Sequence, residues 1–419
     1  MDERAKIQRE IRADQDKLDN LLVAISTLRA HLDRLEEQKQ ALERRIASNH
    51  NLFAPANHLP VEILARIFNS FVNHDNKPET LLLVSTKWRD AALGFGHLWS
   101  NIHIEHRNNL PDLTLLPFVH LRLTRSRGYP LDISVREHTH FATDYGPDLR
   151  ACIEAIIGQD GVVMARWRSI RLHFLSRFIE TIVARLVHPA PLLESIEIVA
   201  HMHSVIVLGT LSRNAPLLRR LSIDGTFDVY VPGVTELRRT GTCWVSSLHL
   251  IGQVKETLTR LELAGEASCG HWHAYQQEDM AVELPNLRYL AVYNGIASRV
   301  ISTIHAPALY TLELHSIYDD PLISRLMESF TTNKESIQML VVKGAAFLEG
   351  AWRELLIPLQ SLRELLCEDI WAGLDPESLL MEDRGICPKL ERLEVDGLIV
   401  GAVLPVRSVF PVGDVTISQ

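Results

Sequence analysis

Aromatic residues make up only 6% of this chain of 419 residues, and cysteine occurs five times. The five, Cys152, Cys243, Cys269, Cys367 and Cys387, are odd in number and widely scattered, which excludes the stapled framework of a small secreted domain. No Asn-x-Ser/Thr acceptor site occurs. The opening MDERAKIQRE lacks the apolar core of a secretory signal, and no later run approaches the roughly 18 apolar residues of a membrane span. A cytoplasmic or nuclear protein is expected, with no membrane partner. The net charge is -9, and Lys and Arg form no cluster of the kind that displaces counterions from a phosphate backbone, so no nucleic acid is expected. Catalytic signatures are missing too: there is no Gly-x-Ser-x-Gly elbow, no phosphate-cradling glycine loop and no His-Glu-x-x-His. The segment EASCGHWHAYQQED brings Cys269, His271 and His273 together, and His-x-His pairs stand at His138/His140 and His201/His203, but no second ligand pair accompanies any of them at zinc spacing. No catalytic residue, metal or cofactor is therefore expected.

What the chain does have is organised in three regions. From residue 3 to about 48 there is no Pro or Gly, and the composition reads as one long helix. Ile11, Leu18, Ile25, Leu32, Lys39 and Ile46 stand seven apart, with Asp14, Leu21, Leu28, Leu35 and Leu42 as the companion row. Only Asp14 and Lys39 interrupt the apolar seam. Such a repeat predicts a coiled coil over residues 1–50, with a homodimer through residues 11–46 as the first expectation and a fold-back onto the chain's own domain as the alternative.

The helix ends in SNHNLFAPANHLP, and a new unit opens at HLPVEILARIFNSFV. Pro60 suits a first helical turn and Glu62 a helix N-terminus. Ile63, Leu64, Ile67, Phe68 and Phe71 spread over two adjacent faces, wider than one core requires. The run TLLLVSTKWRDAAL adds Leu83, Val84 and Trp88, and GHLWSNIHI turns into an alternating strand. In the order Leu59, Pro60, Glu62, Ile63, Leu64, Ile67, Phe68, then Leu83, Val84, Ser85, Trp88, Arg89, then Leu98, Trp99, Ser100, residues 51–105 resemble the F-box, in the F-box-like form common in mushroom-type fungi. In that family the position of Ser85 is usually Cys. The resemblance implies a three-helix domain whose Leu59, Pro60, Ile63, Leu64, Ile67, Phe68, Leu83 and Val84 bind a Skp-type adaptor and, through it, a cullin. It implies a non-catalytic substrate receptor of a ubiquitin ligase; the alternative is a coiled-coil scaffold not engaged with a ligase.

Residues 106–419 repeat a Leu-x-x-Leu-x-Leu pattern. Its copies begin at Leu193, Leu218, Leu258, Leu287, Leu309, Ile337, Leu362 and Leu390, mostly 22 to 29 residues apart. WRSIRLHF, near Ile170 and Leu172, is a weaker earlier copy. Proline stands two residues before the triplet at Pro191, Pro216, Pro285, Pro307 and Pro388, and a turn-forming residue follows it, as at Ser316, Gly344 and Asp369. The wide interval after Leu218 holds VSSLHLIG, expected as a strand around Leu248 and Leu250. RFIETIVARLV, LISRLMESF and AWRELLIPL read as helices between strands. The expected architecture is an α/β solenoid with a parallel sheet, similar to the leucine-rich repeat but with its usual Asn or Cys ladder position taken by residues such as Thr226, Ile317 and Leu398.

Strand alternation sends the triplet into the core and its neighbours outward. Tyr289, Ala291, Tyr293, Tyr310, His315, Met339, Val341 and Leu366 then form one outward row, with Glu197, Glu262, Glu313 and Glu394 as a rim. Tyr289, Tyr293, His315, Met339 and Val341 are the candidate binding residues for an unknown target protein; the alternative is that the C-terminal segment or a long loop covers the row.

Overall fold

The computed structural model describes residues 2–53, 55–72, 77–106, 115–137, 147–174, 187–200, 205–207, 214–224, 226–228, 231–240, 244–264, 282–293, 304–316, 335–344, 349–369, 386–396 and 398–402. The chain divides into two compact units, Met1–Leu98 and Trp99–Gln419. No helix among the described residues is long and apolar enough to cross a membrane.

The first unit opens with helix α1 (Asp2–Phe53). Its seam is uncovered: Ile11, Leu18, Leu21, Leu28, Leu32 and Leu42 are all exposed. Helix α2 (Val61–Val72) follows, with the Pro60 carbonyl accepting its first backbone bonds from Ile63 and Leu64 at 3.1 Å. A 3-10 turn (Pro78–Leu83) leads to helix α3 (Thr86–Gly94). Ser85 caps α3, its hydroxyl accepting from the Trp88 amide at 3.2 Å. This gives Ser a physical reason to stand where the resembling family has Cys, since a hydroxyl caps a helix well and a thiol does not. Trp88 packs against Phe68 with ring centroids 5.0 Å apart. Leu64 and Phe68 are fully buried. Both were expected on the docking face; in the folded chain they lie in the core of this small unit and present no surface. Ile63, Ile67, Leu83 and Val84 stay exposed, Leu83 at 82%. Pro60 is also exposed and Leu59 is half-buried.

The second unit begins with strand β1 (Asn101–His106), followed by α4 (Leu115–Arg125), β2 (Leu131–Glu137), α5 (Pro147–Ile157), β3 (Trp167–Phe174), β4 (Ser195–Ala200), β5 (Val205–Val207) and β6 (Arg220–Asp224). It continues through β7 (Thr226–Asp228), β8 (Glu236–Thr240), β9 (Arg260–Ala264), β10 (Val282–Glu283), β11 (Tyr289–Tyr293), β12 (Ile304–His305) and β13 (Thr311–His315). Strands β14 (Met339–Lys343), β15 (Glu364–Glu368), β16 (Arg392–Val395) and β17 (Leu398–Ala402) close it. Among the described residues thirteen strands form one sheet in the order β1-β2-β3-β4-β6-β8-β9-β11-β13-β14-β15-β16-β17, parallel throughout except for the final β16–β17 pair. Strands β5 and β7, and β10 and β12, make separate two-stranded pairs. The fold is thus mixed α/β, an N-terminal helix followed by a parallel-sheet solenoid. The sheet takes in β1, so it starts before residue 106.

Register follows the triplet. Leu261, Leu290, Leu312, Leu340 and Leu365 face one another strand by strand and are buried, and Leu263, Val292, Leu314, Val342 and Cys367 form the next inward row. The prolines mark tight turns: Leu193, Leu218, Leu287, Leu309 and Leu390 each donate a backbone bond of 3.0 to 3.2 Å to the residue three before, with Pro at the second turn position. Strand entries are stitched by a backbone ladder, in which one carbonyl accepts two amides of the next repeat. Arg288 O receives Tyr310 and Thr311, Tyr310 O receives Gln338 and Met339, and Gln338 O receives Arg363 and Glu364, all within 3.1 Å. Ser316 and Asp369 leave their strands with positive φ, as does Gly344, which carries no Cβ to resist it.

The expectation for the wide interval is corrected. VSSLHLIG lies in a helix, Trp244–Val254, because Leu250, Ile251 and Val254 fall on one helical face and are buried while His249 is exposed. The strand of that interval is β8, from the copy Val234, Leu237 and Arg239, announced by Pro232 in its turn. Arg239 is buried where the pattern asks for an apolar residue. AWRELLIPL does form a helix, Glu349–Leu356, which buries Trp352, Leu355 and Leu356. RFIETIVARLV, apart from its last residue Val187, and all of LISRLMESF lie outside the described residues.

The inward rows predict that Leu340→Ala lowers unfolding free energy by about 2–5 kcal/mol in chemical denaturation. Ser85→Ala, which removes the α3 cap, should cost roughly 0.5–2 kcal/mol in the same assay.

Candidate binding face

The outward side of the parallel sheet has two halves of different chemistry. Over β1 to β9 it is polar. A groove of about 660 Å³ runs there, lined by Asp132, Arg171, Glu197, Arg220, Arg238 and Glu262 among others. Its charges are paired across strands: Arg168 bonds Asp132, Glu197 lies 3.2 Å from His173 and 3.5 Å from Arg171, and Arg238 approaches Glu262 at 3.6 Å. The contact from His173 holds the Glu197 carboxyl below its ordinary value, against the opposing effect of burial.

Over β11 to β14 the same face turns aromatic and apolar. Tyr289, Tyr293, His315 and Met339 are half-buried, and Ala291 is buried. Val341 is only 7% exposed. It was expected among the binding residues, but larger outward neighbours on both sides of the pleat leave it almost no surface to offer. Tyr310 lies in the turn before β13 rather than on the strand, and is exposed. Tyr293 stacks on His315 with centroids 4.0 Å apart and planes inclined by 15°. Met339 sits two strands from Tyr289, with Thr311 between them in register.

The residue that joins these side chains is Glu313, at the centre of β13, where the sequence pattern suggested only an acidic rim. Its side chain is 13% exposed. The Tyr289 hydroxyl donates to its Oε2, His315 Nε2 stands 2.7 Å from its Oε1, and Lys343 Nζ reaches Oε1 at 3.5 Å. Burial alone would raise the Glu313 carboxyl, yet the bonds from Tyr289 and His315 outweigh it and hold the group below its ordinary value of 4.5. Burial and the bond to Glu313 push the Tyr289 phenol upward. The opposite ring contact comes from Arg260, whose guanidinium lies 3.5 Å from the Tyr289 centroid while also bonding Glu262 at 2.7 Å. Cation–π attraction and two carboxylates thus fix Tyr289 from both sides. The result is a rigid patch with aromatic surface toward solvent and its charges already satisfied, which suits contact with a protein surface.

Among the described residues no group of three or more His, Cys, Asp or Glu could hold a metal. The Cys269, His271 and His273 segment, and both His-x-His pairs, lie outside the described residues. Burial pushes the Cys367 and Cys387 thiols up to about 12, far from a reactive thiolate.

No protein-family model matches the chain, and no curated protein matches it.

Glu313 generates a pH prediction. Its folded pKa is depressed, so the native state binds fewer protons than the unfolded chain; the stabilisation is fully present above the unfolded pKa and is lost as pH falls through the folded one. The melting temperature of the unmodified protein should therefore drop more steeply below about pH 4.5 than that of Glu313→Gln. Parallel pH profiles for the two would contradict the Glu313 network.

Proposed function

We propose that the chain is the substrate-recognition subunit of a Skp-cullin-F-box type ubiquitin ligase, a non-catalytic adaptor with two working surfaces. The observation that carries this reading lies in the first unit. Ile63, Ile67, Leu83 and Val84 remain exposed around a small core in which Leu64 and Phe68 are fully buried and Trp88 packs on Phe68. Large apolar side chains left outside a completed core favour a partner. On this proposal the three short helical segments, α2, the Pro78–Leu83 turn and α3, would correspond to the three helices that the F-box resemblance implies. In this reading Leu59, Pro60, Ile63, Ile67, Leu83 and Val84 receive the Skp-type adaptor, and a cullin is recruited through it. The outward face of the sheet takes the target, with Tyr293, His315 and Met339 as its aromatic and apolar centre and the polar groove beside it as the selective part. A scaffold without a ligase is the second reading, favoured by the uncovered seam of α1.

Titration of a Skp-type adaptor into the full chain separates the two. The substrate-receptor reading expects tight binding that Ile67→Asp with Leu83→Asp abolishes while the melting temperature holds, since exposed positions usually move stability by less than about 0.5 kcal/mol. Phe68→Ala should instead destabilise the unit by about 3–5 kcal/mol. No binding by the unmodified chain would leave the scaffold reading. On the second surface, Tyr293→Ser with Met339→Ser should lose captured target proteins and keep adaptor binding. Capture that survives both changes would move the target site away from β11 to β14.

A further inference from the structure

The uncovered seam of α1 carries an internal symmetry. Its centre falls between Ile25 and Leu28, and about that centre every apolar seam position has an apolar counterpart: Leu21 mirrors Leu32, Leu18 mirrors Leu35, Ile11 mirrors Leu42, and Ile7 mirrors Ile46. The two charged seam residues obey the same symmetry, since Asp14 lies as far before the centre as Lys39 lies after it. We infer that α1 pairs with α1 of a second copy as an antiparallel two-stranded coiled coil, in the register that sets Asp14 of each chain against Lys39 of the other.

Orientation is decided by these two residues. In a parallel, in-register pair each seam residue meets itself, so Asp14 would face Asp14 and Lys39 would face Lys39 inside a partly desolvated seam, two like-charge contacts offset only by the exposed intrachain partners Lys17 and Glu43. Turning one helix round converts both into opposite-charge contacts and leaves every other seam layer apolar. The flanks agree: the antiparallel register brings Glu10 beside Arg45 of the second copy and sets no like charges together. Within one chain Asp14 receives Lys17 at 2.8 Å and Lys39 lies 3.7 Å from Glu43, all four side chains being exposed, and the long lysines can turn toward a second helix. The geometry places the α2–α3 regions of the two copies at opposite ends of a rod about 75 Å long, given the rise of an α-helix. Nothing in this pairing depends on the ligase reading.

The test is sedimentation equilibrium of the full chain and two variants. The unmodified protein is a dimer. Asp14→Lys, which sets like charges together at both ends of an antiparallel seam, weakens the dimer at least about tenfold, and adding Lys39→Asp on the same chain returns it to within about threefold. That rescue also shows that the single variant had not merely misfolded. A monomeric unmodified chain, or a dimer indifferent to both changes as a parallel pair would be, overturns the inference.

Discussion

No strand of this sheet can cover its own apolar side chains. Leu290 is buried because Leu261 and Leu312 stand beside it in register, and because helices such as Glu349–Leu356 add Trp352, Leu355 and Leu356 to the same contiguous core. Each repeat is stabilised by its neighbours more than by itself, which is the condition of a solenoid. The backbone ladder at the strand entries enforces the pairing. One carbonyl accepts two amides from the next repeat, so a strand slipped by one residue would lose both its ladder bonds and its inward leucines.

The same constraint frees the outward residues. They make no contribution to the inward core, and the sheet uses them in two ways: a groove of paired charges over the early repeats, an aromatic patch over the later ones. Glu313 stands between these, linked through Tyr289 to Arg260 and Glu262 on one side and through His315 to Tyr293 on the other. A face held in this way loses little conformational entropy on meeting a partner, and preorganisation of that kind improves affinity.

The inward rows were legible in the sequence because burial of a parallel strand selects aliphatic residues at alternate positions, and the prolines marked the turns directly. Strand β8 was hidden by a single residue: Arg239 broke the triplet, although Pro232 announced the turn as in the other repeats. Leu248 and Leu250 mimicked strand alternation, and only the longer spacing through Ile251 and Val254 shows the helix. Leu64 and Phe68 could not be told from Ile63 and Ile67 by pattern, since a short helix with two apolar faces does not reveal which one its own domain will cover. The role of Glu313 was beyond the sequence altogether, because its partners Tyr289 and Lys343 come from different repeats and meet only through sheet register.

The proposed function requires a division of labour, with adaptor docking confined to the small helical unit and the sheet left free for a target. Hydrogen exchange of the full chain with and without a Skp-type adaptor measures that division directly. Slowed exchange is expected over residues 59–72 and 77–94, with amides of β11 to β15 unchanged. Protection that falls on the sheet, or none at all at saturating adaptor, would contradict it.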